Sequence, residues 1–325
     1  MALTKRLLSV ALAVLLGLAA LASMASAADG VFAEGGKPWW IMPRWLKVQY
    51  AVKSWPQQGF KEDGMAILHE GKLVYEEYAE GQGPDVPHVA MSVTKSVVAA
   101  LVGIAVKDGL IDVQEKVYEY YIGDVKDGLL DFPGQEGKLN MTVEHLLTMR
   151  SGLPDTHDCF RAADAGLAAF ETPQETAPGK RFKYNSGAGP QCLVGIVERV
   201  TGQNLLEFAQ ERLFGPLGIT SVTWETTDCG SNIGGFGISM SPRDMLRFGQ
   251  LYLNDGVWNG GRILPEGWTR STQPGFNTIL SYGYLFWGNG WGALMGGSYE
   301  ARGYFGQYIT VYPDKGVVVV RTGSR

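Results

Sequence analysis

The sequence predicts an α+β fold, with one antiparallel sheet assembled from the two ends of the chain, helices flanking it and a mainly helical region inserted between the ends. Three observations carry this expectation. Strand-like segments gather near residues 64–80 and again after residue 282, the stretch between them reads as helices joined by Gly/Pro loops, and 325 residues with 45% hydrophobic and 19% charged content supply a sizeable core. The organisation that follows is a leader over residues 1–27 and then a single unit, 28–325. Its sheet lobe spans about 45–112 and 226–325, and its helical lobe about 113–225.

The leader comes first in the chain. Lys5 and Arg6 precede the apolar run "LLSVALAVLLGLAALA", and "ASA" (Ala25 to Ala27) places small residues where a signal peptidase cuts. Export to the periplasm or the medium is the expectation; an uncleaved membrane anchor is the competing reading, because the run approaches spanning length. An aromatic, Pro-containing segment, "GGKPWWIMPRWLKVQYAVKSWP", then leads into the first strands. "GMAILH" and "KLVYEEYAEG" are separated by "EG", which fits an antiparallel hairpin.

Next comes "HVAMSVTKSVVAALVGIAVKDG", a helix closed by Gly109. Further helices are expected in "TVEHLLTMRSGL", in "PQCLVGIVERVTGQNLLEFAQERLF" and in "SPRDMLRFGQLYLNDG", the last opening with Ser241 as cap and Pro242 in its first turn. "YGYLFWG", "GYFGQYITVYP" and "GVVVVRTG" read as strands, with "PDKG" turning between the last two.

Composition excludes some functions. Without the two basic residues of the leader, 26 Lys and Arg face 33 Asp and Glu, a formal charge of −7, so nothing favours a nucleic-acid partner or an anionic membrane. The histidines (His69, His88, His145, His157) are scattered and the three cysteines form no C-x-x-C pair, so neither metal nor cofactor is expected. An odd cysteine count in an exported chain permits at most one internal bridge. Cys192 sits in the apolar pattern "CLVGIVERV" and reads as buried, which leaves Cys159 to Cys229 as the expected disulfide.

The chemistry is in the first long helix. From Val89 to Val106 the residues are apolar, small or hydroxylic except Lys95, so a helix here is buried nearly all round and takes one cation into low dielectric. Residues three apart share a helix face, so Ser92 and Lys95 touch if the helix begins near Ser92. The serine then lies at the positive end of the helix dipole, and burial depresses the lysine until it is a usable proton acceptor. A bare S-x-x-K tetrad arises by chance about once in a few hundred residues. The lack of any polar face for the lysine separates this one from a snorkelling surface residue. No serine of the chain lies in G-x-S-x-G.

At these residues the sequence resembles the serine β-lactamase and penicillin-binding protein superfamily, in the branch of class C β-lactamases, DD-peptidases, related esterases and 6-aminohexanoate-dimer hydrolases. The resemblance runs from about Gly64 to Arg321. "MSVTKS" is similar to the nucleophile motif, "VEHLLTMRSGLPD" to a leucine-rich stretch ending in Ser-Gly-Leu, and "PGKRFKYNSGAG" to the segment with the Y-x-N or Y-x-S motif, which falls on Tyr184 and Ser186. The third motif departs from K-T-G or H-x-G: in "ARGYFGQ", Gly303 takes the glycine, Arg302 the middle position and Ala301 the place of the cation. This form, with Y-x-S, is most similar to the 6-aminohexanoate-dimer hydrolases.

The resemblance implies a β-lactamase/transpeptidase-like fold and a serine hydrolase acting through an acyl-enzyme on a small-molecule amide or ester. Ser92, Lys95 and Tyr184 are its implied catalytic residues, the N–H groups of Ser92 and Tyr304 its oxyanion donors, and Ser186, Arg302 and Gly303 its substrate contacts. The missing cation argues against efficient β-lactamase or DD-peptidase action unless Arg302 substitutes. A non-catalytic penicillin-binding sensor that keeps the fold is the alternative of another class. Two or three of the C-terminal aromatics (Tyr282, Tyr284, Phe286, Trp287, Trp291, Tyr299, Phe305, Tyr308) are expected at the site and the rest in the core. Asp155 and His157 read as a solvated loop, with a border of the cleft as the competing reading. The chain stops after "VVVVRTGSR", where the superfamily continues into a closing helix, which reads as a shortened chain.

Overall fold

The computed structural model describes residues 61–124, 136–272, 282–288 and 297–325. The expected leader, the aromatic segment after it and Trp291 lie outside the described residues.

The first hairpin forms where "EG" predicts it. Strands β1 (Lys61–His69) and β2 (Lys72–Tyr78) are joined through Glu70 (φ 50°) and Gly71 (φ 73°), the two left-handed residues that a two-residue turn needs to match the twist of its strands. A short β3 (His88–Val89) leads into α1 (Val93–Lys107), and the inserted region follows with α2 (Val143–Leu147), α3 (Ala165–Glu171) and α4 (Ala188–Thr201). After β4 (Thr223–Trp224) and β5 (Ile238–Met240) comes α5 (Pro242–Leu253), with Ser241 Oγ accepting the Asp244 N–H as the expected cap. The small hairpin β6 (Val257–Trp258) and β7 (Gly261–Arg262) precedes the C-terminal strands β8 (Tyr282–Gly283), β9 (Phe286–Gly288), β10 (Tyr299–Gly303), β11 (Gln307–Tyr312) and β12 (Val317–Ser324).

Seven of these strands make one antiparallel sheet in the order β2-β1-β12-β11-β10-β9-β8. Its first and last segments in chain order therefore pair inside the sheet, where β1 lies along β12 with Ala66 opposite Val320 and Leu68 opposite Val318. β1 is buried from Asp63 to Leu68 and β12 from Val317 to Gly323. Such unbroken burial marks strands covered on both faces. α5 packs on β1, β11 and β12, while α1 packs on β10 and β11 and, on its other side, against α4.

That placement explains the apolar helix. Held between the sheet and the inserted helices, α1 is buried at every residue from Val93 to Ala105. Its hydroxyls are spent inside the protein: Thr94 Oγ1 donates to the Met91 carbonyl at 2.7 Å and accepts the Ile238 N–H at 3.2 Å, and Ser96 Oγ donates to Leu285 O at 2.8 Å. Its C-terminus closes as a Schellman motif, with Gly109 at φ 74° and Leu110 N bonded to Ala105 O at 2.9 Å.

Three expectations change. "YGYLFWG" is no single strand but the tight hairpin β8–β9, turning at Tyr284 (φ 33°) and Leu285 (φ 60°). "GYFGQYITVYP" breaks at Tyr304–Gly306, where Phe305 takes φ 63°, and the strand before it, β10, contains Glu300 and Arg302, whose charges masked it as a strand. The disulfide is absent, because Cys159, Cys192 and Cys229 are all free. Cys159 is buried, and its thiol is pushed up to about 11 by burial. Cys229 is exposed, with its sulfur 3.2 Å from Thr227 Oγ1.

Candidate active site

The site begins with a strained turn. Met91, with φ 49°, occupies the left-handed region that side chains with a Cβ rarely adopt, and Thr94 ties down its carbonyl. The turn delivers Ser92 to the N-cap of α1, half-buried, with its hydroxyl making no cap to its own helix. The oxygen is held instead by Lys95 and Tyr184. Lys95 Nζ lies 2.9 Å from Ser92 Oγ, and the Tyr184 phenol hydrogen-bonds the same serine.

Lys95 is 1% exposed and meets three oxygens: Ser92 Oγ, Ser186 Oγ at 3.2 Å and the Gly235 carbonyl at 2.6 Å. A neutral amine has two N–H groups and one lone pair. The Gly235 carbonyl can only accept, Ser186 Oγ can accept the second N–H, and the lone pair is left for the Ser92 hydroxyl proton. Burial favours this neutral form, pulling the amine from its ordinary 10.5 down to about 7 against the opposing pull of the Asp155 carboxylate. The buried lysine beside a serine that the sequence leads one to expect is thus present in the geometry.

Tyr184 stands over Lys95, with the amine 4.8 Å from its ring centroid. It is braced by Trp287 (5.4 Å between centroids) and Tyr282 (6.3 Å), and Phe182 packs edge-on against Tyr282 at 5.2 Å. Burial raises the Tyr184 phenol, the Ser92 hydrogen bond lowers it and Asp155 raises it, with a net upward shift. Of the C-terminal aromatics, Trp287 and Tyr282 therefore reach the site, whereas Tyr284, Phe286 and Tyr299 are buried in the core.

Within the Y-x-S segment, Ser186 and Asn185 divide the work. Ser186 turns its hydroxyl to Lys95, while Asn185 is buried and turned to backbone. Its Nδ2 donates to Leu153 O (3.2 Å) and Pro154 O (2.5 Å), and its Oδ1 accepts the N–H groups of Gly187 (3.0 Å) and Gly189 (3.1 Å). Asp155 departs from the solvated-loop reading: its carboxylate is exposed, yet Oδ1 accepts the Ser186 N–H at 2.6 Å. His157 stacks on Phe160 at 5.1 Å and meets Phe236 edge-on at 5.5 Å.

On the sheet side, Gly303 lies so close to Ala90 that a Cβ there would stand 2.3 Å from the Ala90 carbonyl oxygen. Only glycine allows the end of β10 to approach the segment that carries Ser92. Ala301, in the place of the superfamily's cation, is fully buried. Arg302 pairs with the Glu300 carboxylate and lies over the Trp287 ring at 5.6 Å. One of its nitrogens is thus engaged by a buried carboxylate of the same strand, while the side chain stays 40% exposed. Tyr304 follows, 64% exposed, with its ring 4.3 Å from that of Phe305.

Two contributors escaped the sequence reading. Gly235 acts through a backbone carbonyl, which any residue possesses, and its only signal is the glycine-rich run "SNIGGFG". Asp155 adjoins a motif that was read, but nothing in one sequence shows that the loop folds back onto Ser186.

A serine hydroxyl held by a buried amine and a phenol, at the head of a helix between a sheet and a helical insert, fits a serine hydrolase-type fold. The chain belongs to the Beta-lactamase family, whose model matches residues 29–324. It is 29% identical over 299 residues to the 6-aminohexanoate-dimer hydrolase of Paenarthrobacter ureafaciens, covering 81% of this chain and 72% of that protein. Among solved structures it superposes on a Bacillus anthracis protein provisionally assigned as a 6-aminohexanoate-dimer hydrolase, with TM-score 0.65, 26% identity and coverage of 85% of this chain and 75% of that one. A D-stereospecific amidohydrolase from Streptomyces shares the fold at TM-score 0.65 and 16% identity, with 86% and 94% covered. The β-lactamase/transpeptidase-like α+β architecture expected from the motifs is the architecture of this protein.

Proposed function

We propose that the protein is a serine hydrolase that opens an amide or ester of a small molecule through an acyl-enzyme on Ser92. One observation carries this reading: the Ser92 hydroxyl lies 2.9 Å from a buried lysine amine whose proton affinity is lowered to near neutrality. A proton acceptor poised near the working pH is what general-base activation of a hydroxyl needs.

Ser92 Oγ attacks the substrate carbonyl as its proton passes to Lys95. The carbonyl oxygen becomes an oxyanion, for which the N–H groups of Ser92 and Tyr304 are the proposed donors. Collapse breaks the C–N or C–O bond, and the leaving amine or alcohol takes the proton from Lys95 through the Tyr184 phenol, which bonds the same serine. Water then attacks the ester carbon, gives its proton to the same pair and releases the acid, restoring Ser92.

A linear amide such as an aminohexanoate oligomer, or a carboxylester, is favoured over a β-lactam or a D-Ala-D-Ala peptide. Ala301 offers no cation for a substrate carboxylate, and Arg302 in the next position has its Nε paired with Glu300. The Paenarthrobacter relative, named for the 6-aminohexanoate dimer, supports the same substrate class. Ser186 and the backbone at Gly303 serve as further substrate contacts, with Arg302 at their edge. The leader pattern over residues 1–27 supports export.

The test is a panel of p-nitrophenyl esters, 6-aminohexanoate linear dimer, nitrocefin and a D-Ala-D-Ala peptide, followed by intact mass over time. Turnover with a transient adduct, both lost in Ser92→Ala while the fold persists, is the expected result. Undiminished turnover in Ser92→Ala would end the proposal, and an adduct that never decays would mark a penicillin-binding sensor instead.

A further inference from the structure

The loop that follows the Ser-Gly-Leu stretch is fastened to the Y-x-S segment by Asn185 and Asp155, to which the motifs assign no role. Asn185 Nδ2 holds the carbonyls of Leu153 and Pro154, and the carboxylate of Asp155 holds the N–H of Ser186 at 2.6 Å. The two segments touch so closely that a Cβ on Gly187 would stand 1.7 Å from the Thr156 carbonyl oxygen. Ser186 in turn places its hydroxyl 3.2 Å from Lys95 Nζ. Two hydrogen bonds joined by the covalent frame of Ser186 therefore link the Asp155 carboxylate to the amine that holds Ser92.

Lys95 is surrounded by neutral groups on nearly every side: Ser92 on its own helix, Ser186 and the Tyr184 ring from the Y-x-S segment, and the Gly235 carbonyl. Asp155 is the charged group that acts on it, favouring the ammonium form, and it also acts on the Tyr184 phenol, favouring the protonated form. The carboxylate is exposed at one oxygen's distance from the backbone of the site, so water screens it without removing its field. A carboxylate in this place does two things together. It fixes the height of the Ser186 hydroxyl, and it keeps both proton carriers, Lys95 and Tyr184, from losing their protons too readily.

We propose that Asp155 is a positioning residue of the site, which seats Ser186 against Lys95 through its backbone N–H and holds the proton balance between Lys95 and Tyr184 through its charge. The proposal deepens the hydrolase reading and rests on it for the catalytic consequence, but its electrostatic half is observable at Lys95 without turnover.

The test pairs Asp155→Asn with Asp155→Ala in the full-length protein. Asparagine keeps an oxygen to accept the Ser186 N–H and removes the charge, while alanine removes both. With 13C-labelled lysine, the Lys95 Cε resonance, assigned by its loss in Lys95→Met, is followed against pH. In Asp155→Asn it should titrate at lower pH than in the wild type, and the acid limb of kcat/KM for a p-nitrophenyl ester should move the same way. On the alkaline side of that limb, kcat of Asp155→Ala should lie about tenfold or more below that of Asp155→Asn, which alone keeps an acceptor for the Ser186 N–H, as expected when a reacting group is slightly misplaced. A Lys95 titration unmoved in Asp155→Asn, or equal kcat in the two variants, overturns the assignment. A moved titration in a protein without Ser92-dependent turnover upholds the electrostatic role of Asp155 and sinks the hydrolase reading.

Discussion

Replacing Lys95 by methionine should convert the cost of burying an amine into a gain in stability that depends on pH. In the native protein Lys95 is 1% exposed and its amine titrates at about 7 instead of 10.5. At 1.36 kcal/mol per tenfold in proton affinity, that difference corresponds to about 5 kcal/mol. Below pH 7 the lysine is protonated in both the folded and the unfolded chain, and the full penalty of the buried charge weighs on the native state. Between about 7 and 10.5 the unfolded chain still binds the proton that the native chain has released, so stability rises with pH through this window. Above it the penalty is gone. Methionine, similar in length and apolar, has no such dependence. It does leave the Gly235 carbonyl without its partner, which costs about 1–3 kcal/mol at every pH.

The signature is therefore the pH trend of the difference and not its absolute size. Urea unfolding of the wild type and Lys95→Met at pH 6.5, 8 and 10 should show the wild type gaining on the variant by several kcal/mol across the range, at most about 5 kcal/mol. Titrating groups that do not interact with Lys95 are common to the two proteins and drop out of the comparison, and the carboxylate of Asp155 is already ionised across this range. A difference that stays flat from pH 6.5 to 10 would refute the claim that Lys95 is neutral in the folded protein, and the general-base role would go with it.

Two further outcomes follow from the packing around the site. Gly303→Ala puts a Cβ 2.3 Å from the Ala90 carbonyl and 2.9 Å from Gln307 Cβ, so β10 or the Ala90–Ser92 segment must yield by about 1 Å. Because Gly303 has the ordinary extended φ of −118°, the cost is purely one of contact. A fall in kcat of about a hundredfold, with about 1–3 kcal/mol of lost stability, is expected from ester kinetics and thermal melting; wild-type kcat would contradict it. Asn185→Ala removes four hydrogen bonds from a residue 2% exposed, and should destabilise by about 3 kcal/mol in urea unfolding. A loss below about 0.5 kcal/mol, the size typical of surface changes, would show that the bonds are not what fastens these two loops.

Much of the fold could be read before any coordinates, and the reasons are local. The first hairpin was legible because its turn needs two left-handed residues and "EG" supplies one glycine between alternating strands. The cap of α5 and the glycine closing α1 were legible for the same kind of reason, since each satisfies backbone groups within a few residues. The failures are equally instructive. β10 was missed because Glu300 and Arg302 look like surface charges, whereas Glu300 is 1% exposed and paired with Arg302 across one residue. "YGYLFWG" was read as one strand because its aromatics favour extended backbone, and the turn at Tyr284–Leu285 uses neither glycine nor asparagine. The disulfide between Cys159 and Cys229 was an elimination among three residues, and counting carries no information about distance.

What the sequence by itself determined is the pair at the head of α1: a hydroxyl and an amine three residues apart, on a helix with no polar face, which periodicity alone brings together while it condemns the amine to burial. What only the tertiary structure decided is the company that pair keeps. Ser186 reaches Lys95 from 91 residues away and the Gly235 carbonyl from 140, and Asp155 joins Ser186 across 31. Helical and strand periods encode which neighbours share a face within one element, but a contact between distant segments is set by how whole elements pack, and that leaves no repeat in the chain to read.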